Sequence, residues 1–269
     1  MFDFTDEQLH RYSRNILLRE IGVEGQARLC NARVLVVGAG GLGSPAAIYL
    51  AAAGVGTIGI VDHDRVDVTN LQRQILHATV DIGRSKVDSA AETIGALNPD
   101  TRLEPINMTL CAENVLKIIS DYDFVVDGTD NFSAKFLVND ACVIMNIPFS
   151  HGGVLGFTGQ AMTVIPGRSA CYRCIFRQPP PTGAVATCSE AGVLGSVAGM
   201  LGTLQATEAL KYLTGAGQLL TDTLLRFDAL AMRFRTVPLT RQDDCPVCGK
   251  KPSINEPFDY EGADCRMEE

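Results

Sequence analysis

The sequence of 269 residues lacks the features that mark membrane, exported and nucleic-acid-binding chains. No stretch approaches about eighteen consecutive apolar residues, and the first residues show neither a basic nor an apolar segment of a signal peptide. No run of about five or more Lys or Arg residues occurs, and a net charge of -8 argues against nucleic-acid and anionic-membrane partners. There is no internal repeat and no low-complexity tract. We therefore expect a cytoplasmic protein.

Apolar content and a strand-helix rhythm are what the sequence does have. A hydrophobic fraction of 46% is ample for a buried core. Short β-branched runs at 34–37, 57–62, 103–106, 124–127 and 148–150 alternate with helical patterns at 44–53, 85–97, 112–119 and 132–145. This alternation predicts an α/β fold with a doubly wound, Rossmann-like, mostly parallel sheet.

The pattern changes at both ends of this core. Two helices are predicted before it, the first opened by a Thr5-x-x-Gln8 capping box and carrying Arg14, the second at 23–29. After His151, antiparallel strands are expected at 160–165, 224–228 and 233–238, with a small-residue helix at 192–213. We interpret the chain as one domain of four parts: a helical extension 1–31, a half of alternating strands and helices 32–150, a second half 151–248 and a polar tail 249–269.

A glycine-rich loop directly follows the first strand. Gly38, Gly40 and Gly43 match the G-x-G-x-x-G spacing, with Gly41 between them, and Asp62 ends the next strand. Such glycines permit a tight turn and close approach of backbone N–H groups to phosphate, and the acidic residue binds ribose hydroxyls. The loop therefore predicts a nucleotide site, and taken alone it favours NAD.

Residues at the ends of other strands favour a triphosphate instead. Arg73 and Lys86 can clamp phosphate oxygens, and Asp130 can hold magnesium, a combination that adenylyl transfer needs and hydride transfer does not. A structural interpretation stays open for each: Arg73 in a surface ion pair, Lys86 exposed on a helix, and Asp130 as the N-cap of the helix that follows.

Two C-x-x-C pairs predict a second kind of site. Cys171 and Cys174 form one pair, and Cys245 and Cys248 form the other. Four thiolates at this spacing indicate a closed, structural, tetrahedral zinc site, although a redox C-x-x-C and two disulfides are competing interpretations.

Cys188 stands apart from these pairs. It lies after a proline-rich loop and just before the helix at 192–213, where a helix N-terminus lowers a thiol pKa, so it is a candidate nucleophile. The alternative is a buried thiol without a chemical role. The four histidines show no metal or triad spacing, and we interpret them as structural.

Taken together, these motifs resemble those of the ThiF/MoeB/HesA adenylyltransferases, bacterial relatives of the ubiquitin-activating enzymes. The resemblance extends over nearly the whole chain. It implies a homodimer that uses ATP and magnesium to adenylylate the C-terminal Gly-Gly carboxylate of a ubiquitin-like sulfur carrier, ThiS-like or MoaD-like, in thiamine or molybdopterin biosynthesis. Pyrophosphate leaves, and sulfur then replaces AMP. The half 32–150 is expected to bind the nucleotide, and the half 151–248 is expected to bind the carrier and zinc.

The resemblance also implies roles for individual residues. Asp62 would bind ribose, Asp130 would orient magnesium, and Arg14 would reach in from the other protomer. Cys188 lies where some members carry a cysteine that bonds to the carrier. The residues implied around the nucleotide are Gly38, Gly40, Gly41, Gly43, Asp62, Asp64, Thr69, Asn70, Leu71, Gln72, Arg73, Gln74, Lys86, Asp130 and Asn131.

The tail sets this chain apart from the relatives that append a rhodanese domain. About twenty residues follow Cys248, too few for that domain, so a separate protein is expected to donate sulfur. Two other functions remain as alternatives: an NAD-dependent oxidoreductase that uses the same glycine loop, and a non-catalytic scaffold stabilised by zinc.

Overall fold

The computed structural model describes residues 2–181 and 191–260, and one eight-stranded sheet runs through both halves of the chain. The strand order is β3-β2-β1-β4-β5-β6-β7-β8. Strands β1 to β5 pair in parallel, and β5 to β8 pair antiparallel. The predicted fold class is confirmed. The strands are β1 (Arg33–Val37), β2 (Thr57–Val61), β3 (Arg102–Ile106), β4 (Phe124–Asp127), β5 (Phe149–Leu155), β6 (Thr158–Val164), β7 (Thr223–Asp228) and β8 (Arg233–Pro238).

Helices cover both faces of the sheet. They are α1 (Asp6–Arg11), α2 (Ser13–Ile16), α3 (Gly22–Asn31), α4 (Gly43–Ala52), α5 (Lys86–Leu97), α6 (Val115–Ile119), α7 (Phe132–Ile144), α8 (Tyr172–Ile175) and α9 (Gly195–Thr214). The predicted capping box at Thr5 is present, but the first helix ends at Arg11, so Arg14 lies in the separate helix α2.

Strand β1 shows how the sequence fills two cores. Leu35 and Val37 pack on one face with α6 and α7, whereas Val34 and Val36 pack on the other face with α4 and α5. All four side chains are buried. Each such side chain contributes about 1.5–3 kcal/mol by leaving water. A strand that is apolar on both faces therefore occupies the sheet centre, and its carboxyl end opens into the site.

Strand β5 is longer than its sequence pattern predicts. It was expected at 148–150, but it continues through Gly152 and Gly153 to Leu155 and pairs with β6. A Cβ atom at Gly152 would lie 2.5 Å from the side-chain oxygen of Gln205 on α9. Gly152 is therefore a point of close packing and not a turn.

Candidate active site

A cavity of about 820 Å³ opens at the carboxyl ends of the parallel strands and extends over the face of β5 and β6. Open α/β sheets bind ligands at this edge. The cavity brings together ten of the residues predicted to contact a nucleotide: Gly38, Gly40, Gly41, Asp62, Asp64, Arg73, Gln74, Lys86, Asp130 and Asn131.

The other predicted residues lie outside the cavity wall or support it. Thr69 and Asn70 belong to a short 3₁₀ helix that Asp67 caps through the Thr69 amide and hydroxyl. The Asn70 carbonyl accepts hydrogen bonds from the amides of Arg73 and Gln74. The predicted residues that do not line the cavity are Arg14, Gly43, Thr69, Asn70, Leu71 and Gln72.

Two glycines of the loop are required by its geometry. Gly38 has a φ of 90°, a conformation that residues with a Cβ atom rarely adopt. A Cβ atom at Gly43 would lie 1.8 Å from the Gly38 carbonyl oxygen, so α4 begins in direct contact with the loop. The Gly43 position therefore serves packing, and Gly38, Gly40 and Gly41 form the cavity surface.

Asp62 holds the loop from the end of β2. Its carboxylate accepts a hydrogen bond of 2.7 Å from the Ala39 amide and another of 2.8 Å from the Asp64 amide. The same side chain lines the cavity. Asp62 therefore links the loop to the second strand while it presents a carboxylate to the place predicted for ribose.

Lys86 is a buried cation and not an exposed helix residue. Its side chain is 5% exposed, and its Nζ atom donates a hydrogen bond of 2.7 Å to the Asp64 carboxylate. Arg73 donates a hydrogen bond to the Thr69 carbonyl and forms no ion pair with the residues described. The structure therefore excludes an exposed Lys86, and it shows no ion pair of Arg73 within residues 2–181 and 191–260; both cations line the cavity.

Asp130 is not a helix cap either. The side-chain oxygen of Asn131 accepts a hydrogen bond of 2.8 Å from the Ala134 amide, so Asn131 caps α7. Asp130 is exposed at the cavity and has no hydrogen-bond or ion-pair partner within residues 2–181 and 191–260. Magnesium binds in proteins through one or two carboxylates together with substrate phosphates. Asp130 offers a carboxylate to the same cavity that Arg73 and Lys86 line, which fits that requirement.

A buried cluster of Asp127, Lys135 and His151, which the sequence patterns do not predict, adjoins the cavity. The Nδ1 atom of His151 lies 2.9 Å from the Asp127 carboxylate, and the Lys135 Nζ atom lies 3.3 Å from it. Lys135 also donates a hydrogen bond of 2.6 Å to the Gly152 carbonyl and lines the cavity. Asp127 and His151 are paired in the β4–β5 register. The ends of adjacent predicted strands were therefore the signal that could have revealed this contact.

The pKa shifts of Asp127 and His151 define the protonation states of both groups. Burial alone would raise the pKa of the Asp127 carboxyl, but the charge of Lys135 and the hydrogen bond from His151 outweigh burial and hold that pKa well below its usual range. Burial and the Lys135 charge lower the pKa of His151, although Asp127 opposes them. At neutral pH Asp127 is ionised and His151 is neutral, so His151 donates from Nδ1 to the carboxylate.

Residues close to the end of the described chain form another unpredicted part of the wall. Asp259 and Tyr260 line the cavity, and the Asp259 carboxylate accepts a hydrogen bond from the Ala112 amide. Arg173 donates to the Tyr260 hydroxyl and, through two nitrogens, to the Asp140 carboxylate. This part of the predicted polar tail therefore packs against the site, which its composition did not indicate.

The four paired cysteines converge on one another, and none of them lines the cavity. Their Sγ atoms all lie within 4.8 Å of one another, and Cys171, Cys174, Cys245 and Cys248 are free thiols. Three of the Sγ···Sγ distances are 3.9, 3.6 and 3.4 Å. A tetrahedron with Zn–S bonds of about 2.3 Å has edges of about 3.8 Å. The cluster fits zinc, and two disulfides are excluded.

Cys188 lies outside the described residues, so its role as a nucleophile stays a prediction. Within the part of the chain that the structure describes, no helix is both long and apolar enough to span a membrane.

Comparison with known proteins relates this chain to one protein family. Residues 12–247 match the ThiF family. A sulfur carrier protein adenylyltransferase of Thermus thermophilus is 47% identical over 96% of this chain and 97% of its own length. A SAMP-activating enzyme E1 of Haloferax volcanii is 48% identical over 90% of each chain. A probable adenylyltransferase/sulfurtransferase MoeZ of Mycobacterium tuberculosis is 45% identical over 95% of this chain and 64% of its own.

Solved structures confirm the fold independently. The crystal structure of E. coli MccB superimposes with a TM-score of 0.81 at 23% identity, covering 93% of this chain and 75% of MccB. At that identity the likeness concerns the fold alone. With the family match over residues 12–247 and relatives above 45% identity across nearly the whole length, this chain belongs to the ThiF family.

Proposed function

We propose that this protein adenylylates the C-terminal Gly-Gly carboxylate of a ubiquitin-like sulfur carrier protein, using ATP and magnesium and releasing pyrophosphate. The observation that carries the proposal is the convergence of Arg73, Lys86 and Asp130 with the glycine loop in one cavity. The relatives named as a sulfur carrier protein adenylyltransferase and a SAMP-activating enzyme support the activity. They give no support to an NAD-dependent oxidoreductase.

The reaction needs charge and position more than it needs a base. A carboxylate oxygen of the carrier attacks the α-phosphorus of ATP, the bond between that phosphorus and the bridging oxygen breaks, and pyrophosphate takes the electron pair. The carrier carboxylate is already ionised at neutral pH, so no proton is removed. Negative charge grows on the phosphoryl and pyrophosphate oxygens, and cations stabilise it in a preorganised site.

The residues of the cavity supply these functions. Lys86 and Arg73 contact phosphate oxygens, Asp62 binds the ribose, and the surface of Gly38 to Gly41 lies against the nucleotide. Asp130 holds magnesium, which neutralises phosphate charge when bound. Gln74 is buried, lines the cavity and has no partner for its side-chain oxygen within the described residues, so it is free to accept a hydrogen bond from the nucleotide.

The active unit is a homodimer in this proposal. Arg14 is exposed on α2 and lies outside the cavity of its own chain. The neighbouring Leu17, Leu18 and Val23 expose 72%, 51% and 53% of their surface. We propose that a second copy covers these side chains and that its Arg14 acts at the phosphates of this chain's site. Sulfide-level sulfur from a separate donor protein then attacks the carbonyl carbon of the carrier acyl-adenylate, the bond from that carbon to the AMP oxygen breaks, and AMP leaves with the electron pair. The product is the carrier thiocarboxylate for thiamine or molybdopterin biosynthesis.

Exchange of labelled pyrophosphate into ATP tests the reaction. We expect exchange only in the presence of a ThiS-like or MoaD-like carrier from the same genome, and none with the same carrier lacking Gly-Gly. Arg73→Ala and Asp130→Ala should lose exchange about a hundredfold or more. Full exchange in both variants would contradict the site, and stabilisation by NAD and not by ATP in thermal denaturation would favour the oxidoreductase.

Mixing two inactive variants tests the dimer. If Arg14 acts across the interface, Arg14→Ala and Lys86→Met chains combine into mixed dimers that hold one intact site. Statistical mixing then restores about a quarter of the wild-type rate, because half of the dimers are mixed and each has one working site of two. No recovery after verified subunit exchange would show that Arg14 does not act in the partner's site.

A further inference from the structure

The wall of the cavity has a polar part and an apolar part. The polar part holds the two cations and the carboxylate that were assigned above to phosphates and magnesium. In the apolar part, Met108 and Leu110, which follow β3, pack against the same hydrophobic cluster as Leu137 of α7, and all three line the cavity. The base is the flat and largely apolar portion of a nucleotide. The apolar part is therefore the surface that suits a base.

Tyr260, near the end of the described chain, belongs to this apolar part. It packs against the same hydrophobic cluster, and its ring centroid lies 5.7 Å from that of Phe136. Its hydroxyl accepts a hydrogen bond from Arg173. The Arg173 guanidinium is itself held by a buried ion pair of 2.6 Å with the Asp140 carboxylate. A fixed, buried cation therefore anchors this segment of the tail at the cavity.

Asp259 presents a carboxylate beside this apolar surface. One of its oxygens accepts a hydrogen bond of 3.0 Å from the amide of Ala112, two residues after Leu110. Within residues 2–181 and 191–260, the other oxygen accepts no hydrogen bond and the carboxylate forms no ion pair. The side chain is exposed and lines the cavity. Asp259 therefore offers a hydrogen-bond acceptor to a ligand in the apolar part.

The position of Asp62 agrees with a base at this place. Asp62 follows β2, and its amide donates a hydrogen bond of 3.2 Å to the carbonyl of Ile106, the last residue of β3. The ribose of a nucleotide joins the base to the phosphates. With the ribose at Asp62 and the phosphates at Lys86, the base extends toward the residues that follow β3, which the Asp259 segment contacts.

We infer that Asp259 selects the base of the nucleotide by accepting a hydrogen bond from the exocyclic amino group of adenine, and that Tyr260 is a positioning residue for Asp259. This inference rests on the proposed function and extends it to nucleotide selection. Guanine carries a carbonyl oxygen, an acceptor, where adenine carries this amino group. An ionised carboxylate can only accept. Asp259 therefore attracts adenine and repels guanine.

Exchange of labelled pyrophosphate into ATP and into GTP tests this contact. The full-length enzyme is assayed with ThiS-like and MoaD-like carriers of the same genome. Asp259→Asn keeps a carbonyl oxygen for the Ala112 amide, but it turns an NH₂ donor toward the base in place of an acceptor. We expect the ratio of kcat/KM for ATP to kcat/KM for GTP to fall about tenfold or more. The carrier KM should not change.

A nucleotide without the amino group isolates the same contact. Purine riboside triphosphate lacks this donor, so its KM with the wild-type enzyme should be about tenfold above that of ATP. Asp259→Asn should abolish the difference. Tyr260→Phe keeps the ring but loses the hydrogen bond from Arg173. It should lower the ATP-to-GTP ratio by a smaller factor, again without a change in the carrier KM.

The matched control is Asp121→Asn. Asp121 is exposed, precedes β4 and does not line the cavity, so this variant should keep the wild-type ratio. An unchanged ratio in Asp259→Asn, with normal wild-type exchange into ATP, would overturn the base contact alone, as would an equal fall in the control. Absence of wild-type exchange into ATP with either carrier would overturn the proposed function as well.

Discussion

The Lys86 Nζ atom donates a 2.7 Å hydrogen bond to the Asp64 carboxylate at the mouth of the cavity. The two side chains differ in exposure, because that of Lys86 is 5% exposed and that of Asp64 is 52% exposed. Water screens the carboxylate more than the buried cation, so the lysine keeps its attraction for an incoming phosphate. Asp64 fixes the direction of Lys86 before the nucleotide binds.

Removing the Lys86 charge should therefore impair chemistry. Lys86→Met is expected to lower the pyrophosphate exchange rate about a hundredfold or more, because the growing phosphate charge loses a preorganised cation. Asp64→Asn keeps that cation and should cost about tenfold or less. Lys117→Met, on the exposed surface of α6, is the control. Equal rates in Lys86→Met and the control would remove Lys86 from the reaction.

Gly43 and Gly40 should respond differently to the same substitution. Gly43→Ala places a Cβ atom 1.8 Å from the Gly38 carbonyl, whereas the nearest atom to a Cβ at Gly40 lies 3.8 Å away. We expect Gly43→Ala to lower the free energy of unfolding by about 3 kcal/mol and Gly40→Ala by less than about 1 kcal/mol. Urea denaturation of both variants measures the difference, and equal losses would contradict the close approach.

Loss of one cluster cysteine should remove zinc and destabilise the fold. Cys248→Ser is expected to reduce the metal content from one zinc per chain to near zero, because a closed structural site needs four ligands. The melting temperature should fall by about 10 °C, which corresponds to about 3 kcal/mol for a chain of this size. Cys30→Ser, a free cysteine outside the cluster, is the control. Elemental analysis that finds zinc in Cys248→Ser at the wild-type level would contradict this assignment.

Stability should fall as pH decreases below about 6.5. The pKa values of the buried His151 and His77 are lowered in the folded protein, mainly by burial. As pH falls, these histidines are therefore protonated in the unfolded chain before they are protonated in the folded protein. Their contribution to the free energy of unfolding is complete above about pH 6.5, the pKa in the unfolded chain. It declines as pH falls toward the pKa values of the folded protein.

The contribution of His151 can be isolated by substitution. Urea denaturation between pH 7.5 and 5 should show a smaller pH slope for His151→Asn than for the wild type, whatever the absolute stability of the variant. His10→Gln, at an exposed position, should keep the wild-type slope. A His151→Asn slope equal to that of the wild type would show that the buried imidazole does not titrate with unfolding.

The central sheet was predictable because its patterns are local. The strand, loop and helix around Gly38 show their periodicity within one short segment, and α7 was predicted at 132–145 and observed at Phe132–Ile144. Strand β5 was predicted too short, because the contact between Gly152 and Gln205 joins residues far apart in the chain.

The residues of the site also fall into two groups, those that local sequence patterns predict and those that depend on contacts between distant parts of the chain. Arg73, Lys86 and Asp130 follow strands or begin helices, so their convergence could be predicted from the parallel sheet alone. The Asp127 and His151 pair required the β4–β5 register, and the packing of Tyr260 on the cavity wall depends on a hydrogen bond from Arg173. Such contacts follow no periodic pattern in the sequence, and the amino-acid composition does not reveal them.

The zinc cluster has a consequence for the shape of the chain between its ligands. With metal bound, Cys171 and Cys245, 74 positions apart, are joined through one ion, so α9, β7 and β8 belong to a closed loop. Closing a loop of this length removes many expanded conformations from the unfolded ensemble. Strands β7 and β8 can then fray at the edge of the sheet without letting the two ends of the loop separate. Metal occupancy thereby limits how far local opening spreads.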